Sequence, residues 1–186
     1  MIRRWYDRLF RPLVVLCGVF ALLSIAPSAF ASPFGQGVFG AQVPFGSVTS
    51  LTIALGGDVT LNLTPSGGGF VGAGSHTLTV TSTDVVGYNL YIYSPGGTAM
   101  TSGTDTIPAS GNTSAGPLAT NTWGYNTDGS TNYLGMTTHP VLLKNAIGPY
   151  ESGDNTTVSY GVLTDVTKNE GSYAVSVTYT AVALNY

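Results

Sequence analysis

From Gly171 to Tyr186 the chain reads G-S-Y-A-V-S-V-T-Y-T-A-V-A-L-N-Y, and no other stretch constrains the fold as tightly. Side chains of an extended strand alternate between faces, so Tyr173, Val175, Val177, Tyr179, Ala181 and Ala183 share one side. Ala174, Ser176, Thr178 and Thr180 share the other. The pattern predicts one long strand with a core-facing row and a hydroxyl-rich row. A lone strand leaves its backbone donors and acceptors unpaired, so the rest of the chain must supply a sheet.

The remainder supports that demand. Leu51, Ile53 and Leu55 alternate, as do Val59, Leu61 and Leu63, and the intervening Gly56-Gly57-Asp58 predicts a β-hairpin. Thr64 to Gly69 reads as a loop. Leu78 and Val80 mark a further strand; Tyr88, Leu90 and Ile92 mark another, with Tyr91 and Tyr93 on its opposite face and Asp84 to Gly87 as the connecting turn. Ser94 to Pro117 is rich in Gly, Ser, Thr and Pro and reads as surface loop with a short strand near Thr104 to Ile107. Trp123 and Tyr125 share a face before an Asp128-Gly129 turn, and Asn132 to Met136 is the candidate return strand. Val141 to Asn145 is apolar but too short, between Pro140 and Gly148-Pro149, to support a helix, and Val158, Tyr160 and Val162 alternate inward within Thr156 to Thr164. No segment sustains a 3.6-residue period. The expected fold is therefore all-β with minimal helix, an antiparallel β-sandwich of immunoglobulin-like or jelly-roll-like kind, with a closed barrel as the alternative.

The N-terminus reads differently. Arg3, Arg4, Arg8 and Arg11 precede an apolar run from Leu13 to Ala26 and then Ala29-Phe30-Ala31, the pattern of a cleavable secretion signal over residues 1–31. The run is shorter than the roughly 20 residues that span a bilayer, so no membrane contact is expected after cleavage. Residues 32–47 form a Gly- and Phe-rich arm, and residues 48–186 a single domain. In the arm, Phe34, Val38, Phe39, Val43 and Phe45 are costly to leave in water, so it is expected to dock along its own domain or in a neighbouring subunit. Cys17 is the only cysteine and lies in the apolar run, so the exported chain has no disulfide or thiolate metal site. Past residue 31 only Lys144 and Lys168 face eight acidic residues, a net charge of −6. That balance argues against nucleic acid as a partner.

Four segments carry a resemblance: Gly87-Tyr88-Asn89-Leu90, Trp123-Gly124-Tyr125, Thr157-Val158-Ser159-Tyr160-Gly161, and Gly171 through Ala181. Together they make the span from about Thr77 to Tyr186 similar to exported bacterial cell-surface β-sandwich modules. The closing strand resembles those of WxL-type proteins and of spore-coat-U or pilin-like subunits. No W-x-L tripeptide occurs and no sorting motif with an apolar tail follows the last strand, so sortase-type wall attachment is not implied. The resemblance implies a secreted, extracellular or cell-surface location, with other envelope proteins, further copies of the chain or surface glycans as partners.

No recognisable catalytic constellation accompanies this pattern, and no catalytic residue or cofactor is assigned. The two histidines, His76 and His139, read as polar residues beside turns. Glu151 and Glu170 sit in Gly- and Asn-rich stretches where an acid is usually solvated. Asp128 and Asp154 offer hard oxygens of the kind Ca²⁺ accepts, yet neither lies in an alternating ligand loop. Lys144 and Lys168 read as solvated, with a Lys-Asn isopeptide bond as the sharper reading that the resemblance suggests. Tyr88, Trp123, Tyr125, Tyr160, Tyr173 and Tyr179 read as core. Tyr91, Tyr93, Tyr133 and Tyr150 lie off the inward rows or in loops and are the candidate glycan-stacking residues. The expected function is a non-catalytic structural or adhesive component of the bacterial envelope, including a pilin-like subunit. A carbohydrate-binding module is the main rival, and a secreted hydrolase the third reading.

Overall fold

The computed structural model describes residues 49–184, and these contain no helix. In chain order the strands are β1 (Ser50–Leu55), β2 (Thr64–Ser66), β3 (Gly69–Thr83), β4 (Gly87–Tyr93), β5 (Met100–Ser102), β6 (Asp105–Ile107), β7 (Thr122–Asn126), β8 (Val141–Ile147), β9 (Tyr150–Asp165) and β10 (Thr178–Leu184). The larger sheet has the order β1-β3-β9-β7 with β2 also on β3; a second has the order β10-β4-β8; β5 and β6 form a separate hairpin. Every ladder is antiparallel. The signal segment and the arm with Phe34, Val38, Phe39, Val43 and Phe45 lie outside the described residues.

The long β3–β9 pair, running from Gly69 opposite Asp165 to Ser82 opposite Tyr150, is the backbone of the molecule. Its inward row carries Leu78, Val80 and Val158, each fully buried, together with Tyr160 and Val162. From the second sheet, Tyr88, Leu90 and Ile92 on β4 are fully buried and Ala146 on β8 nearly so. All of these belong to one hydrophobic cluster with Trp123 and Tyr125 of β7, which is consistent with the expected β-sandwich. Each such large side chain taken from water contributes roughly 2 kcal/mol, so this shared core supplies the dominant favourable term.

Four local expectations need correction. The predicted hairpin across Gly56-Gly57-Asp58 does not form: β1 pairs with β3 instead, Leu55 opposite Leu78. After the Gly56 N–H meets the Thr77 carbonyl at 3.0 Å, the chain lies over the sheet face. Gly74 admits this path, since a Cβ there would stand 2.8 Å from Val59 and 3.0 Å from Leu61. Val59 and Leu61 thus pack on the core without becoming a strand. The stretch Thr64 to Gly69, expected to be loop, is instead the β2–β3 hairpin, turned by Gly67 and Gly68 at φ 57° and 88°.

The closing stretch is not one strand. β10 begins only at Thr178, and the preceding residues touch β5 through a single Thr101–Ala174 bridge. β4 ends at Tyr93, so no partner continues beyond it, although Tyr173, Val175, Val177 and Tyr179 still face the core as their spacing requires. Val141 to Ile147 is an edge strand, β8. Asn132 to Met136 makes only isolated bridges, through Tyr133 and Leu134. The turn at Asp84 forms as expected: Asp84 takes φ 57°, and both its carboxylate oxygens are buried without a hydrogen-bond partner.

Candidate functional site

Two polar clusters cross the core between the sheets. In the first, His76 of β3 and Tyr160 of β9 occupy the inward row of the larger sheet, and Tyr179 of β10 reaches them from the other sheet. His76 Nδ1 lies 2.8 Å from the Gly57 carbonyl and Nε2 lies 2.8 Å from the Tyr179 hydroxyl. A carbonyl only accepts, so Nδ1 carries the hydrogen and Nε2 accepts from Tyr179. The Tyr179 oxygen in turn accepts from the Tyr160 hydroxyl. The His76 ring meets Tyr160 edge-on at 5.9 Å, and Tyr160 packs on Trp123 at 6.3 Å.

Burial pushes the Tyr160 phenol up to about 12 in spite of the Tyr179 hydroxyl beside it. Tyr179 is raised still further, first by burial and then by Tyr160. Both phenols are therefore neutral at any physiological pH and act as hydrogen-bonding links between sheets. The sequence reading placed His76 beside a turn, whereas the structure puts it mid-strand facing inward. The overlooked signal was its period-two spacing from Leu78 and Val80, which a polar residue does not advertise.

In the second cluster, Lys144 of β8 donates to Asp154 Oδ1 at 2.7 Å and to Thr156 Oγ1 at 3.3 Å, while Tyr88 of β4 donates to Asp154 Oδ2 at 2.7 Å. Lys144 was read as solvated or as a partner of Asn; its partner is a carboxylate under the second sheet. Burial raises the Asp154 carboxyl, yet Lys144 and Tyr88 together outweigh it and hold the group below the usual carboxylate range. Tyr88 is raised by burial and by Asp154. A depressed carboxylate contributes stability that is complete above its unfolded pKa of about 3.9 and is lost as pH falls through the lower folded value. Asp154→Asn is accordingly expected to be less stable than wild type near pH 7, with the gap closing below about pH 4. Urea titrations at several pH values test this; parallel stability profiles for the two proteins would remove the assignment.

The other residues singled out by sequence disperse. Asp128 Oδ1 accepts the Ser130 N–H at 3.0 Å and closes its own turn. His139 is exposed. Glu151 stands exposed on β9, not in a turn as expected, and Glu170 is exposed in the β9–β10 connection. Among the described residues no group of three or more His, Cys, Asp or Glu side chains gathers. Tyr150 donates to the Ile147 carbonyl and meets Tyr88 edge-on at 5.9 Å. Tyr133 covers paired glycines on the outer side of the larger sheet: a Cβ on Gly161 would fall 2.3 Å from its ring, and one on Gly124 2.9 Å from its Cβ.

Tyr91 and Tyr93 do come together. They sit on the outer row of β4, with Thr180 and Leu142 opposite Tyr91 and Thr178 opposite Tyr93. The same face exposes Leu142 (51%), Val182 (47%) and Ile147 (81%), and Asn145 donates to Asn89 across it at 2.6 Å. The two edges of this sheet differ. β8 has Pro140 before it, Gly148-Pro149 after it, an inward-pointing Lys144 and a register shift opposite Leu90–Tyr91, all devices that discourage edge pairing. β10 carries no charge, proline or glycine from Thr178 to Leu184. Comparison with family models, with curated proteins and with solved structures finds no match.

Proposed function

We propose that this chain is an exported, non-catalytic structural or adhesive component of the bacterial envelope, acting by association of its copies through the outer face and the β10 edge of the β10-β4-β8 sheet. The observation that carries this reading is the uncharged face of half-buried Tyr91 and Tyr93 with exposed Leu142 and Val182, beside an edge strand, β10, that among the described residues pairs only with β4. Exposed apolar patches of this kind are unusual on a soluble monomer and mark contact surfaces. A second copy is the fitting partner, because the face has no charge by which to select an oppositely charged one. The two inter-sheet polar clusters suit the same role, since they tie together a domain without disulfides.

Analytical ultracentrifugation of the exported chain tests the proposal. Concentration-dependent assemblies that disappear in Leu142→Asp/Val182→Asp are expected. A chain that stays monomeric at every attainable concentration, or assemblies indifferent to that variant, would overturn it. The Tyr91–Tyr93 spacing beside Asn89 and Asn145 also suits stacking on a glycan. In that reading, glycan-array binding is lost in Tyr91→Ala while the chain remains monomeric.

A further inference from the structure

Asp84 differs from every other half-buried acid among the described residues. Asp154 accepts from Lys144 and Tyr88, Asp165 from Asn121 and Thr167, and Asp105 from Asn169. Both side-chain oxygens of Asp84 are shut from water, and neither has a hydrogen-bond partner. Nor does a cation of the described residues compensate it. Lys144 is paired with Asp154, Lys168 donates to the Thr106 carbonyl at 2.8 Å, and His76 lies between the Gly57 carbonyl and Tyr179. His139 precedes β8 at the end remote from Ile147, the residue that pairs with Gly87 beside the Asp84 turn. A desolvated carboxylate without a counter-charge is costly, and buried polar groups are ordinarily satisfied, so the missing charge comes from outside these residues.

Four segments meet at this corner. Thr49 Oγ1 donates to the Asp84 carbonyl at 3.5 Å, and the Ser50 and Thr83 hydroxyls lie 2.9 Å apart. The Val86 N–H donates to the Leu184 carbonyl at 3.0 Å, and the Val86 carbonyl accepts from the Gly148 N–H at 2.6 Å. The start of β1, the β3–β4 turn, the β8–β9 turn and the end of β10 are thereby joined. No side chain from Thr49, Ser50, Thr83 to Val86 or Ile147 to Pro149 carries nitrogen or sulfur, so their side-chain polar atoms are all oxygens.

We propose that Asp84 is the anionic ligand of a calcium ion bound at this corner, where it ties the β3–β4 turn to the three segments around it. Ca²⁺ takes carboxylate, carbonyl and water oxygens in irregular geometry, whereas Mg²⁺ demands a near-ideal octahedron and sheds water reluctantly. Transition metals favour imidazole or thiolate ligands, which this corner lacks. A single carboxylate makes the site weak, with a Kd of about 0.1–1 mM, as in calcium-binding extracellular modules. The corner is distinct from the outer sheet face, so the site stands or falls independently of self-association.

The test is calorimetric titration of the exported chain with calcium chloride at constant ionic strength, together with thermal unfolding in calcium and in EDTA. One saturable site is expected, and calcium at ten times its Kd should raise the Tm by about 3–6 °C. Two variants remove the carboxylate while suiting the φ of 57° at this position, Asp84→Asn and Asp84→Gly. Both should bind calcium at least tenfold more weakly and melt at the same temperature in calcium and in EDTA. Asp128→Asn, a change to an exposed carboxylate, should behave as wild type. No saturable calcium binding by the wild type, a Kd within twofold of wild type in both Asp84 variants, or an equal calcium-dependent rise in their Tm would each overturn the proposal.

Discussion

Trp123→Ala is expected to destabilise the domain by about 3–5 kcal/mol, a large share of the 5–15 kcal/mol available to a domain of this size. The side chain is fully buried, its Nε1–H donates to the Thr98 carbonyl at 2.9 Å, and its ring packs against Tyr160. Removing it opens a cavity where β7 meets β9 and leaves the Thr98 carbonyl without that donor. Trp123→Phe keeps much of the volume and loses chiefly the hydrogen bond, so it should fall between the two. Urea unfolding followed by circular dichroism measures all three proteins. A loss below about 1 kcal/mol for the alanine variant would mean that Trp123 does not anchor the core.

Tyr179→Phe should be destabilising out of proportion to the one oxygen removed. The Tyr179 hydroxyl is the middle link between Tyr160 and His76, so its deletion leaves a buried donor and a partly buried acceptor without partners. That loss is expected to be about 1–3 kcal/mol. Tyr160→Phe on its own removes one donor and leaves Tyr179 still bonded to His76. In the Tyr160→Phe/Tyr179→Phe double variant only the His76 acceptor remains unmet, so the double loss should be smaller than the two single losses added. Strict additivity in a double-mutant cycle would show that the three groups do not act as one linked unit.

The core rows are legible in the sequence because burial follows side-chain alternation, and alternation is a local property. Tyr88, Leu90 and Ile92, and likewise Val158, Tyr160 and Val162, face inward where their period of two puts them. Pairing was less legible. Gly56-Gly57-Asp58 carries the local chemistry of a hairpin turn, yet β1 found a longer and better partner in β3, and the glycines of β3 let Val59 and Leu61 lie across its face. The last stretch kept its alternation but lost half its ladder, because β4 stops at Tyr93. The two polar clusters were hidden for a different reason. His76 lies far along the chain from Tyr160 and Tyr179, and nothing local marks these residues as partners.

By itself, the sequence determined the all-β class, the inward rows and the absence of any cysteine besides Cys17, since each depends on residue type and short spacing. Only the tertiary structure decided which strands pair, that Lys144 meets Asp154 and His76 meets Tyr179, and that Tyr91 and Tyr93 share the outer face of the β10-β4-β8 sheet while Tyr133 and Tyr150 are packed elsewhere. Those outcomes arise from competition among distant segments for the same backbone edges and the same buried volume, and a period of two is blind to that competition.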